Sequence, residues 1–165
     1  MPDLDANVRI RAARLSDAPQ LAALMCELSY ETTSDEMRAR LKSILPDAGY
    51  STLVAKIGKE LCGMIGTLTH MSHEHNDLSG KIVALVVSKE QRRSGVGRAL
   101  IRAAERDFAK RNVTRVTLTT RFERGKAHRF YGAVGYARTG FRFGKNLASA
   151  GKNDSKSSVA DADEE

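Results

Sequence analysis

No stretch of this chain is apolar for more than six residues in a row, whereas a membrane-crossing helix needs about 20. The opening residues, MPDLDANVRIRAARLSD, lack the apolar core of a secretory signal. Cysteine is scarce: Cys26 and Cys62 stand alone, without the paired spacing of zinc or redox motifs. They read as free thiols in a reducing compartment, and the expected location is the cytoplasm. Aromatic residues make up only 5% of the chain, too few for a stacking platform on single-stranded nucleic acid. Acidic residues are thin in one half. Residues 89–145 carry 16 Lys/Arg against 4 Asp/Glu, whereas residues 1–88 carry 9 against 11 and residues 146–165 carry 2 against 5. A polyanionic ligand is therefore expected in the basic half. Many of its arginines, such as Arg102, Arg106 and Arg111, read as a solvated helix face instead.

What is present centres on Lys81–Arg111, KIVALVVSKEQRRSGVGRALIRAAERDFAKR. The run Ile82 to Val87 is rich in β-branched residues and predicts a strand buried on both faces. Val96, Leu100, Ala103, Ala104 and Phe108 recur at helical spacing and form one stripe. Between them lie Arg92, Arg93, Ser94, Gly95, Val96 and Gly97, followed by Arg98. Free backbone N–H groups, the positive end of a helix dipole and up to three guanidinium groups meet there. The two glycines let a ligand approach the backbone. The arrangement suits a pyrophosphate.

Residues 1–145, this stretch included, are expected to form a single domain large enough for a proper core. Val8 to Ala12 alternates as a short strand, and Ser16 or Asp17 caps a helix carrying Leu21, Leu24, Met25 and Leu28. A second helix runs from near Ser34 to before Pro46, with Met37, Leu41 and Ile44 inward. Glu27, Glu31, Asp35 and Glu36 cluster at the junction, as solvated helix ends or as a substrate-facing group. Strands Ser51 to Ile57 and Leu61 to Thr69 flank a compact turn at Gly58-Lys59-Glu60. His70 to Gly80 is polar and aperiodic and predicts a loop. Its His70, His73, His75, Glu74 and Asp77 match no zinc spacing, so no metal is expected. Thr114 to Thr120 predicts a strand, and a short helix follows with Ala127, Phe130, Tyr131 and Val134 on one face. Gly135 suits the left-handed residue that closes it, and Tyr136 to Phe143 returns as a final strand. Residues 146–165 lose hydrophobic pattern and are expected to be disordered.

A buried strand, then Arg92-x-x-Gly95-x-Gly97 opening a helix, then Ala127-x-x-Phe130-Tyr131-x-x-x-Gly135-Tyr136, resembles the GNAT superfamily of acetyl-CoA-dependent N-acetyltransferases over residues 8–145. The competing nucleotide motifs, G-x-x-x-x-G-K-[ST] and G-x-G-x-x-G, are absent. The resemblance implies a mixed, mostly antiparallel α/β fold. Six to seven strands and about four helices on both faces would follow in the order β-α-α-β-β-β-α-β-α-β. It implies acetyl-CoA as cosubstrate in a gap beside the central strand. Leu85, Val86 and Val87 would hydrogen-bond the pantetheine as an added strand would, and the amides of Arg93 to Arg98 would hold the pyrophosphate. The N–H of Val86 or Val87 would polarise the acetyl carbonyl. Tyr131 corresponds to the general acid that protonates the departing thiolate. It could also be a core aromatic in phase with Ala127 and Val134.

Two positions depart from the pattern. Val83 stands where many members carry a glutamate, which leaves the base to Glu74, with His73, His75, Glu27, Glu31 or bulk water as alternatives. Arg124 stands where an asparagine is common, and would meet a CoA phosphate instead. The expected acceptor is a primary amine, on a small cationic molecule or on a protein, and a homodimer is compatible with the sequence. Two further readings stay open. One is a catalytically weak CoA-binding regulator, which the missing carboxylate at Val83 favours. The other is a basic nucleic-acid-binding module, which the aromatic scarcity disfavours.

Overall fold

The computed structural model describes residues 7–120 and 125–147. Arg124 and most of the expected tail lie outside them. Five strands form one sheet in the order β1-β2-β3-β4-β5: β1 Val8–Ala12, β2 Tyr50–Ile57, β3 Glu60–Met71, β4 Leu78–Val87 and β5 Arg115–Leu118. The first four pair antiparallel and β5 joins β4 in parallel. Helices α1 (Ala18–Glu27) and α2 (Ser34–Ile44) follow β1, α3 (Val96–Lys110) joins β4 to β5, and α4 is Gly125–Ala133. Among the described residues no helix is long and apolar enough to cross a membrane.

Two cores sandwich the sheet. Leu21, Leu24, Met37 and Leu41 of α1 and α2 pack on Val54, Met64 and Val86. On the other face Leu100, Ile101, Ala104 and Phe108 of α3 pack on Ala55, Ile65 and Ile82, with Phe130 and Tyr131 of α4 alongside. A Cβ on Gly80 would come within 2.7 Å of the Phe108 ring, so the glycine lets α3 sit close to the sheet.

Local chemistry sets the helix starts. Thr33 accepts the Glu36 N–H and Glu36 accepts the Thr33 N–H, a reciprocal capping box that opens α2. Asp17 precedes α1, but its carboxylate works elsewhere. It takes two bonds of 2.8 Å from the Arg11 guanidinium and one of 2.7 Å from the Arg14 N–H. The pair fastens the turn before α1 to β1.

Four expectations need correction. The sheet has five strands among the described residues, not six to seven. Tyr136 to Phe143 forms no strand: among the described residues the segment has no ladder partner, and Phe141 and Phe143 are 71% and 92% exposed. A strand needs a ladder partner, whatever its alternation. The His70–Gly80 loop is shorter than expected at both ends. His70 and Met71 belong to β3, Leu78 to Gly80 belong to β4, and only residues 72–77 connect them. Finally, the central strand is not buried throughout. Val83 is 46% exposed because it is the extra residue of a bulge, between the pairs Gly66↔Ala84 and Thr67↔Ile82.

Candidate active site

The bulge at Val83 is where the sheet opens. Up to Ile82, β4 has a neighbour on each side, β3 and β5, and the β5 ladder ends at the pair Ile82↔Leu118. From Val83 to Val87 only the β3 side stays paired, as far as Gly63↔Val87. Among the described residues no strand covers the other edge. One extra residue also inverts the side-chain phase. Ile82 faces the α3 core, Ala84 and Val86 face the α1–α2 core, and Leu85 and Val87 return to the α3 side.

This half-open strand leads into the basic turn. A single 3-10 turn, Lys89–Gln91, follows Ser88, whose N–H donates to the Cys62 carbonyl at 2.8 Å. Arg92 folds back, its Nε–H donating to the Val87 carbonyl at 3.3 Å, and Ser94 Oγ donates to the Gln91 carbonyl. Arg93 and Gly95 take positive φ angles of 65° and 89°. For Gly95, which caps α3, that conformation carries no side-chain penalty. The first bond of the helix ladder runs from Ala99 N to Gly95 O at 3.0 Å. The amides from Arg93 to Arg98 precede it, and none has an acceptor among the described residues. Arg92, Arg93 and Arg98 are all exposed around them.

Gly97 differs from Gly95 in what it permits. A Cβ there would meet Phe130 Cζ at 3.2 Å and Val87 Cγ2 at 3.6 Å. Its bareness seats α4 against the start of α3, as well as leaving the backbone open to a ligand. That contact aligns Tyr131, whose ring lies edge-on to Phe130 at 5.3 Å and to Tyr136 at 6.3 Å. Tyr131 is half-buried and shares its apolar cluster with Leu85 and Val87. The Tyr136 hydroxyl donates to Glu105 Oε1 at 2.9 Å; burial foremost, then that carboxylate, raises its pKa. A cleft of about 270 Å³ opens between α3 and α4, bordered by Arg98, Arg102, Glu105, Val134 and Gly135.

The other sequence candidates are scattered. Glu74, His73 and His75 are exposed at the tip of the β3–β4 hairpin, beside a cavity of about 370 Å³ that also reaches Arg115 and Thr117. Roughly 25 Å of strand separates Leu78 from Val86, so the structure does not bring Glu74 to the open edge. Asp77 is taken up by Arg115 and Thr114 of the β5 region. Among the described residues no three His, Cys, Asp or Glu side chains are grouped to hold a metal ion. The acidic junction also dissolves: Glu36 caps α2, and Glu27 accepts the Lys89 N–H at 2.8 Å. Sequence spacing could not show that last contact, which spans 62 residues.

Residues 18–136 match the family model described as acetyltransferase (GNAT) family. The chain belongs to the GNAT family. It is an acetyl-CoA-dependent N-acetyltransferase by that membership and by a curated relative. The relative is an aminoalkylphosphonate N-acetyltransferase of Salmonella typhimurium, 32% identical over 143 residues, 84% of this chain and 90% of that one. A GNAT acetyltransferase of Staphylococcus aureus superposes with a TM-score of 0.75 at 26% identity, covering 86% of this chain and 99% of the other. An aminoglycoside N-acetyltransferase in complex with CoA shares the fold at a TM-score of 0.75 and 16% identity, over 85% and 94% of the two chains.

Proposed function

We propose that this GNAT acetyltransferase acetylates a small primary amine that carries an acidic group, of the aminoalkylphosphonate class. The observation that carries the cofactor half is one continuous surface. The edge of β4 from Val83 to Val87 and, one turn further on, the amides at Arg93 to Arg98 have no partner strand and no acceptor among the described residues. Leu85 and Val87, whose backbone groups face away from β3, hold the pantetheine amides as a neighbouring strand would, whereas Val86 is paired with β3. Arg93 to Arg98 hold the pyrophosphate with backbone N–H groups at the positive end of α3, and Arg92 and Arg98 add charge. The β4 amide that faces the open edge, that of Val87, polarises the acetyl carbonyl; the Val86 N–H is turned to β3, as the Ser88 N–H to Cys62 bond two residues on requires. Tyr131 supplies the proton to the departing thiolate, an assignment supported by its place in one cluster with Leu85 and Val87.

The acceptor class is supported by the 32% identical relative, which acts on aminoalkylphosphonates. A cationic acceptor loses its main support, because two of the four carboxylates at the α1–α2 junction are occupied by backbone N–H groups. Val83 offers no proton acceptor, and Glu74 stands at the far end of β4. The amine therefore loses its proton to water, and the rate follows the fraction of free amine. Glu74→Gln should leave the pH profile intact; a lost limb would restore Glu74 as the base.

The test is release of CoA thiol from acetyl-CoA with aminoalkylphosphonates, polyamines, aminoglycosides and a lysine peptide in parallel. The highest kcat/KM is expected with an aminoalkylphosphonate. A preference for polyamine or peptide would overturn the acceptor class and leave the cofactor assignment standing. CoA binding with no turnover on any amine would favour a CoA-binding regulator.

A further inference from the structure

Glu27 is placed where local helix energetics would not put it. It is the last residue of α1, at the negative end of the helix dipole, where a carboxylate is disfavoured. It is half-buried and makes no ion pair among the described residues. Its Oε2 accepts the backbone N–H of Lys89 at 2.8 Å, and Lys89 opens the 3-10 turn that leads into the bare amides. Ser88, at the cap position of that turn, makes no side-chain capping bond. The cap therefore comes from α1, across the fold. A charged acceptor on a backbone N–H is one of the stronger hydrogen bonds a chain makes.

The α1 end of this bridge is itself fixed. Thr32 Oγ donates to the Tyr30 carbonyl at 2.9 Å, the Arg40 guanidinium donates to Thr32 Oγ at 3.2 Å, and Thr32 is buried. Hydrogen bonds thus close the junction that follows Glu27, and the Glu27 carboxylate reaches the turn that leads to the Arg93–Arg98 amides. We propose that Glu27 is a positioning residue: it locks the Ser88–Gln91 turn so that those amides converge on the pyrophosphate of the acyl donor. The inference rests on the reading of that turn as the donor's anchor. Without the carboxylate the turn samples other orientations, and donor binding weakens while the chemistry at Tyr131 and the β4 edge is unaffected.

The test is calorimetric titration of CoA into wild type, Glu27→Ala, Glu27→Gln, Lys89→Pro and the Glu27→Ala/Lys89→Pro double variant. Proline at 89 removes the donor N–H at the first position of a turn, where proline is tolerated. Ser88, with φ −56° and ψ 147°, already has the backbone that a following proline requires. Glu27→Ala and Lys89→Pro should each weaken CoA binding roughly tenfold, the double variant no further. Glu27→Gln, which keeps an acceptor oxygen, should stay within about threefold of wild type. KM for acetyl-CoA should move with these constants while kcat stays within about twofold. Amide hydrogen exchange over residues 88–98 should quicken in Glu27→Ala, a readout independent of any ligand. Wild-type affinity in Glu27→Ala, full multiplication of the two single effects, or failure of Glu27→Gln to rescue would each overturn the proposal. Should wild type itself bind no CoA, the anchor reading fails instead.

Discussion

At Gly97 the room for a side chain is measurable, and it decides how α4 sits. Gly97→Ala would place a Cβ 3.2 Å from Phe130 Cζ, a contact the ring relieves by moving a few tenths of an ångström. Phe130 is half-buried and has that freedom, and alanine in a helix offsets part of the cost. Stability should therefore change by less than about 1 kcal/mol. Tyr131 moves with Phe130, and small misplacements of a reacting group are costly. At saturating acetyl-CoA, kcat should fall roughly threefold to tenfold; an unchanged kcat would separate the Gly97 contact from catalysis. Tyr131 itself has a narrower test. A thiol has a pKa near ~8.5 and leaves tolerably well as thiolate, so loss of the acid costs at the low end of general acid effects. Tyr131→Phe should lower kcat roughly 100-fold with little change in KM for acetyl-CoA. Full turnover from pH 6 to 9 would return Tyr131 to the role of a core aromatic.

Among the elements, the start of α1 depends on one buried carboxylate. The Asp17 side chain is 7% exposed and binds the Arg11 guanidinium through both oxygens. The Arg11 hydrogen bond foremost, and the Arg14 N–H as well, hold its pKa below the usual carboxylate value against the opposing effect of burial. A depressed folded pKa means stability that is present above the unfolded value, near ~3.9, and lost as pH falls through the folded one. Asp17→Asn should cost about 2 kcal/mol at pH 7. The gap from wild type should close below about pH 4 in urea melts; a gap constant from pH 7 to 3 would refute the assignment. The sequence marked Asp17 as a helix cap because position and residue type are local, but its actual partner is on β1. The same boundary between local and distant information runs through the fold. The α3 stripe, the α2 start near Ser34, the Gly58 turn and the Gly135 stop are short-range patterns and were legible. The bulge at Val83 was not, because a ladder slip depends on β3 as much as on β4. Nor was the fate of Tyr136–Phe143, which joins no ladder among the described residues, because its alternation says nothing about a partner. In the site, Gly95 and the arginines could be read from residue type, whereas the second role of Gly97 and the Glu27–Lys89 bridge needed the packed structure.

Over the whole molecule, charge and topology are arranged about the same opening. The chain carries a formal net charge of +7, and the excess lies in residues 89–145, which follow the half-open strand. Arg92, Arg93 and Arg98 are exposed, so their attraction for a polyanion passes through solvent and is screened by salt. The Debye length falls from about 10 Å at 0.1 M to about 3 Å at 1 M. Acetyl-CoA at 100 times its dissociation constant should stabilise the fold by about 2.7 kcal/mol. For a domain of this size that raises Tm by roughly 8 °C. Raising NaCl from 0.05 to 0.5 M should weaken binding several-fold and shrink the shift at fixed ligand. Arg92→Ala/Arg93→Ala should show both a smaller shift and a flatter salt dependence. Backbone amides carry the rest of the pyrophosphate contact and have no net charge to screen, so the shift should shrink without vanishing. Single-stranded RNA under the same conditions should give no comparable shift, since 5% aromatic content provides little to stack on. A larger shift with RNA than with acetyl-CoA would mean that the basic half serves nucleic acid. The open edge of β4 would then need another occupant.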